Sequence, residues 1–194
     1  MSEDYCGVKF SVDFIKKSAP KSSTELKQLI KWCHFFDKHQ LAPPYPDGSA
    51  GNLSFRINPE KNEFIITGTQ IGLKNNLTEN QFVKVIDVDF SNLKIKVNGF
   101  IKPSSESMLH WAIYNVRPEI NAIFHGHSLE ILEKAKENNW TITKNEVPYG
   151  TPELVKEVLN IIDNQDFVIL KNHGFLAFGK TMEEAGNLCK KAIF

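Results

Sequence analysis

Histidines, one carboxylate and a few small polar clusters hold the chemical capacity of this 194-residue chain. His125-Gly126-His127 is the most informative triplet. On a strand, residues i and i+2 share a face, so both imidazoles can address one ion. Gly126 would remove bulk from the opposite face or permit local bending. Two surface histidines at this spacing are the alternative. His173 lies between two apolar runs, where a hairpin tip would let its side chain leave the sheet and reach a neighbouring loop. A turn histidine bonded to backbone would read the same way. Should the three converge, three imidazoles with an open fourth position suit a catalytic zinc ion.

Ser104-Ser105-Glu106 is the second constellation. A helix opening here would offer free backbone N–H groups and two hydroxyls to a phosphate. Simple helix capping accounts for the same residues. Glu106 falls in the expected first turn, where the dipole favours a carboxylate, and beside a metal it could be fourth ligand or general base. His110, one turn later, reads as a packed or supporting histidine and is left out of the metal set. Gly51-Asn52 and Thr67-Gly68-Thr69-Gln70 are small-residue loops at strand ends. Their backbone can approach an anion and Asn52 and Thr69 can bond it, although most such loops are only turns.

These residues need positioning, and the hydrophobic pattern supplies elements to do it. Val8, Phe10, Val12 and Phe14 alternate as in a strand or packing arm. Residues 22–40 are helical in period, with Ser22 and Glu25 as a capping box, and Pro43, Pro44 and Pro46 end the segment. Asp47-Gly48 marks a turn. Strands are expected over 52–57, 64–67, 82–86 and 93–97, then a helix from Glu106 to Val116 and a buried strand from Ile120 to His125. Helices follow at 129–138 and 152–163, the second with Thr151 as cap and Pro152 in its first turn. A hairpin joins 167–170 to 175–178, and Thr181 with Glu184 caps a last helix. The expected class is α+β, with helices layered on a mostly antiparallel sheet.

Composition bounds the function. Hydrophobic residues make up 41% and charged residues 24%, which fits one folded domain spanning 1–194. Twenty-three basic residues balance twenty-three acidic ones, so no charge excess points to nucleic acid or a membrane surface. Cys6, Cys33 and Cys189 are scattered and odd in number, as expected of thiols in a reducing cell. No apolar run approaches the roughly 20 residues of a membrane span. The N-terminus starts acidic and lacks a signal-peptide core, so a cytoplasmic protein is expected.

Five segments in order are SAGNLSFRI (49–57), FIITGTQIG (64–72), KPSSESMLHWAIYNVRPEINAIFHGHS (102–128), VPYGTPEL (147–154) and LKNHGFLAFGKTMEEA (170–185). In them the chain resembles the class II aldolase/adducin family, in its sugar-phosphate aldolase branch. The resemblance implies a three-layer αβα sandwich around a central, mostly antiparallel β-sheet, assembled as a homotetramer. It implies one divalent ion per subunit, zinc, on His125, His127 and His173, with Glu106 as metal-linked acid/base. It places a substrate phosphate on Asn52, Thr69, Ser104 and Ser105. The implied reaction is reversible cleavage of a phosphorylated ketose through the enediolate of dihydroxyacetone phosphate. Epimerases and dehydratases of phosphorylated sugars, and non-catalytic adducin-like binding modules, are the alternatives in the family. Two departures are visible. No tyrosine occurs between His127 and Val147, where family aldolases carry one, and Gln70 stands where the phosphate loop is expected to have glycine.

Overall fold

Alternating apolar residues become a nine-stranded sheet in the computed structural model, which describes residues 7–194; Cys6 lies outside them. In chain order the strands are β1 (Ser11–Lys16), β2 (Pro44–Tyr45), β3 (Gly48–Ser49), β4 (Asn52–Asn58), β5 (Glu63–Thr67), β6 (Phe82–Asp89), β7 (Lys94–Asn98), β8 (Ala122–Gly126), β9 (Thr141–Ile142), β10 (Phe167–Leu170) and β11 (Gly174–Gly179). The helices are α1 (Thr24–Lys38), α2 (Ser107–Val116), α3 (Leu129–Glu133), α4 (Pro152–Leu159) and α5 (Met182–Ile193). The main sheet runs β1-β7-β6-β5-β4-β8-β11-β10-β9, while β2 and β3 form a separate small hairpin. Its interior ladders are antiparallel, and the outermost pairs, β1–β7 and β9–β10, are parallel.

Period-two alternation divides the core in two. Leu109 and Ile113 of α2, with Leu154 and Val158 of α4, pack on Ile66, Ile123 and Leu176 from one sheet face. On the other face Leu29 and Phe36 of α1, Ile131 of α3 and Cys189 of α5 pack on Leu53, Phe124 and Phe175. The result is the expected three-layer αβα sandwich. Because Phe124 faces the α1 side, His125 faces the α2 side. Because Leu53 faces α1, Asn52 and Ser54 face α2. The antiparallel β4–β8 ladder, with Asn52 opposite His125, is where the two halves of the sheet meet.

Some expected boundaries shift. Ser23, not Ser22, caps α1, its hydroxyl accepting from Leu26 N–H at 3.1 Å. The helix expected over 129–138 is the short α3 followed by turns, because Asn139 takes a left-handed φ of 53° and sends the chain back to pair Thr141 with Val168. The segment expected over 152–163 is helical to Leu159. The strand β9 adds an unanticipated edge, too short to leave a periodic signal. Among the described residues, no helix is long and apolar enough to cross a membrane.

Candidate functional site

Adjacent strands β8 and β11 set the geometry: His125 lies opposite Leu176, and Gly126 opposite Phe175. A Cβ on Gly126 would stand 2.5 Å from the Phe175 ring, and one on Gly174 would stand 2.4 Å from the Gly126 carbonyl oxygen and 2.9 Å from His125 Cε1. Only glycine permits this approach. The hairpin tip turns through Asn172 at φ 56°, and His173 N–H donates to the Leu170 carbonyl at 3.0 Å. Its side chain thereby returns toward β8. Ring centroids are 4.7 Å apart for His125–His127, 5.0 Å for His125–His173 and 4.9 Å for His127–His173. One nitrogen from each histidine lies within 4.8 Å of the others.

His125 Nδ1–H donates to the Phe175 carbonyl at 2.8 Å, which leaves its Nε2 as a lone pair turned to the cluster, 2.9 Å from His127 Nε2. Burial pulls the His125 imidazole down to about 4, against the pull of Glu106. Burial also takes His127 well below its usual range, helped by the neighbouring His125 and His173. Both rings are therefore neutral near pH 7, the form that ligates.

Glu106 occupies the N-cap of α2 rather than its first turn, and its carboxylate does not cap the helix. The side chain is 2% exposed and is directed at the histidines. Oε2 lies 3.0 Å from His125 Nε2 and accepts from Asn52 Nδ2 at 3.0 Å. Oε1 lies 3.5 Å from His173 Nε2 and has no hydrogen-bond partner; neither does buried His173 Nδ1. Burial pushes the Glu106 carboxyl up, but His125, His173 and the Asn52 amide together outweigh it and hold it below its ordinary value.

This donor set fits a divalent ion. Three nitrogens and a buried carboxylate oxygen without a partner point at one place, and tetrahedral zinc requires ligand nitrogens roughly 3.3 Å apart. The separations found here bracket that value.

The expected anion residues are partly gathered. Residues 67–69 run antiparallel beside 102–104: Ser104 N–H donates to the Thr67 carbonyl at 3.1 Å, and Thr69 N–H to the Lys102 carbonyl at 3.0 Å. Thr69 and Ser104 thus sit on neighbouring segments at the start of α2. Ser104 Oγ accepts from Glu106 N–H at 3.3 Å. Ser105 is buried, its carbonyl 2.9 Å from where a Gly150 Cβ would stand. Asn52 is on Glu106 in this structure. Gln70 adopts φ 54°, so the glycine expected there would relieve a left-handed conformation rather than add room.

His110 is the packed, supporting histidine that the sequence suggested; its partners Ser54 and Tyr114 were missed. Ser54 Oγ lies 2.7 Å from His110 Nδ1 and 2.8 Å from Tyr114 Oη, all buried. Burial pulls His110 down to about 3. The signal was available: Ser54 shares Asn52's face of β4, and His110 shares Glu106's face of α2. Lys74 was also missed, and nothing in its sequence surroundings marks it as buried.

A large sheet sandwiched by helices thus carries three histidines and a carboxylate at its central seam, a candidate metal site. The model of the Class II Aldolase and Adducin N-terminal domain matches residues 27–192, and the chain belongs to this family. It is 30% identical to the L-fuculose phosphate aldolase of Methanococcus vannielii, over 83% of this chain and 87% of that one. It is also 30% identical to the 3-oxo-tetronate 4-phosphate decarboxylase of Haemophilus influenzae, over 74% of this chain and 73% of that one. A solved L-fuculose 1-phosphate aldolase superimposes with a TM-score of 0.72 at 26% identity, covering 89% of this chain and 83% of that one.

Proposed function

We propose that this chain is a metal-dependent, aldolase-type lyase that cleaves or forms a C–C bond in a phosphorylated ketose. The observation that carries the reading is buried Glu106, 3.0 Å from His125 Nε2, with one oxygen held by Asn52 and the other unpartnered. His125, His127 and His173 hold one divalent ion per subunit, zinc in this reading. The bound ion supplies positive charge for the oxygen that becomes negative as the C–C bond breaks. Asn52 keeps one Glu106 oxygen fixed, so the other is aimed at a substrate proton. The His110–Ser54–Tyr114 chain stiffens the wall behind it. Thr69, Ser104 and Ser105 hold the phosphate, which fixes the reacting carbons in register. By the same family likeness the enzyme is a cytoplasmic homotetramer, an assembly that light scattering in solution checks.

Similarity to a decarboxylase and, over a shorter stretch, to a methylthioribulose-1-phosphate dehydratase favours a second reading: loss of carbon dioxide, or of water, from a phosphorylated sugar acid or ketose. Decarboxylation also leaves an electron pair on a neighbouring carbonyl oxygen, so the same site would serve. Product analysis separates them, because only decarboxylation releases carbon dioxide.

The test is elemental analysis with turnover of ketose 1-phosphates. Wild type is expected to carry near-stoichiometric divalent metal that His125→Ala loses. Glu106→Gln is expected to keep the metal and lose at least about a hundredfold in turnover. A wild type that takes up no divalent ion, or a Glu106→Gln variant with full turnover, would overturn the assignment.

A further inference from the structure

Among the described residues, Lys74 is an unusual charge outside the histidine cluster. It is 1% exposed, although the stretch Leu73-Lys74-Asn75-Asn76 reads as an ordinary polar loop. Its ammonium donates to Ser49 Oγ at 2.7 Å and to the Ala50 carbonyl at 2.9 Å, with the Ser49 carbonyl at 3.5 Å. Ser49 Oγ in turn donates to the Gly72 carbonyl at 2.5 Å, so the loop carrying Lys74 and the turn carrying Ser49 are tied twice. The three acceptors are neutral. Asp37 takes the Lys74 backbone N–H at 3.2 Å. The Asp37 carboxylate acts on the ammonium only through space, and a buried ammonium whose hydrogen-bond acceptors are all uncharged is costly. Burial pulls the Lys74 amine down to about 8, so most of it is still charged at neutral pH.

The direction of that charge follows from peptide geometry. Every described peptide is trans, so a carbonyl facing Lys74 sends the N–H of the same peptide the opposite way. Ala50 N–H, paired this way with the Ser49 carbonyl, is used by the Pro43 carbonyl at 2.9 Å. Gly51 N–H, paired with the Ala50 carbonyl, points away from the ammonium and is polarised by it. Gly51 has φ 72°, and a Cβ there would stand 2.7 Å from the His125 carbonyl oxygen, so the turn is pressed onto β8. The next residue, Asn52, holds Glu106. The positive charge of Lys74 also reaches His125 and His127, lowering both. By contrast, Thr69, Ser104 and Ser105, proposed above to hold a phosphate, are all uncharged.

We propose that Lys74 is a positioning residue for anion capture: it clamps the Ser49–Asn52 turn against β8 and supplies, from behind that turn, the positive charge that a substrate phosphate meets through Gly51 N–H and the neighbouring hydroxyls. This rests on the phosphate site of the proposed function. It adds a charged component to a site that otherwise consists of neutral donors, and it links phosphate binding to the residue that orients Glu106.

The test titrates inorganic phosphate and sulfate into the purified, metal-containing protein by calorimetry. Lys74→Met is expected to weaken both anions by at least about tenfold. Lys74→Arg, which keeps the charge, is expected to recover most of the loss, whereas Lys74→Gln, which keeps only hydrogen bonding, is not. In turnover the loss is expected mainly in KM rather than kcat. A wild type that binds neither anion overturns the phosphate site and this proposal together. A wild type that binds both, with Lys74→Met or Lys74→Gln binding equally well, overturns the role of Lys74 alone. Should the neutral variants not fold, sulfate affinity of wild type, followed from about pH 7 to 9.5, reads the same charge, since sulfate stays a dianion throughout. Cys33 and Asp37 of α1, His125 of β8 and His127 just after it face the ammonium; Cys33, pushed up to about 12, stays a thiol, and both histidines are already neutral. Affinity is expected to fall as pH passes about 8, and a flat profile would overturn the proposal.

Discussion

Glu106 and the imidazoles around it illustrate how burial, rather than sequence position, sets the charge of a side chain. His110 is drawn down to about 3 and His125 to about 4 by burial, and His127 also lies well below its usual value. In the unfolded chain each returns to about 6.5. As pH falls below that value the unfolded state takes up protons that the folded state refuses, so stability is lost until pH reaches the folded values. Metal-free protein is therefore expected to lose on the order of 1.4 kcal/mol per pH unit for each such imidazole between about pH 6 and 4.5. Urea midpoints across that range check it, and His110→Gln is expected to flatten the slope. A midpoint that does not move would show these rings titrating normally in the fold. Residue types and spacing made the three histidines and Glu106 legible as candidates. Their convergence was not legible, because it depends on the β8–β11 register and on glycines 126 and 174 admitting it. Lys74 was illegible for the opposite reason: a lysine among asparagines gives no hint that Ser49 and Ala50 will close over it.

At the scale of elements, periodicity revealed most of what was built. The strands at 52–57 and 64–67, the 167–178 hairpin and α2 all stand where alternation and capping residues put them. What failed were choices between equivalent neighbours and elements too short to repeat. Ser22 and Ser23 are both competent caps by type, but Ser23 holds the extended cap position and accepts from Leu26 N–H, while the Ser22 side chain meets Glu79. Ser23→Ala is accordingly expected to destabilise the protein by about 1 kcal/mol, and Ser22→Ala by less than about 0.5 kcal/mol, in thermal or urea unfolding. Equal losses would mean the two hydroxyls share the role. At α5 the reciprocal cap has moved one residue: Thr181 Oγ1 accepts from Glu184 N–H, whereas Glu184 Oε2 accepts from Lys180 N–H. Two-residue β9 shows the lower limit of pattern reading, since Thr141 and Ile142 become a strand only because β10 offers an edge.

For the whole molecule, the resemblance in sequence anticipated the sandwich, and the family match and superposition agree with it. Composition alone stopped at a globular chain of balanced charge. The joint between β4 and β8 has one more consequence, and it concerns time rather than space. The residues that would grip an ion, His125, His127 and His173, all come from β8 onward, whereas Asn52 and Glu106 precede β8. The β8–β11 ladder brings together residues 50 apart, His125 and Phe175, whereas the β4–β8 ladder pairs the more distant Asn52 and His125, and the longer closure forms more slowly. On the proposed function, ion uptake and chemistry would thus be separable events in the life of a newly made molecule. During refolding from urea, zinc uptake reported by a chromogenic indicator is expected to recover no later than turnover; turnover returning first would break this order. A chain caught before its halves join would be able to hoard metal while remaining inert.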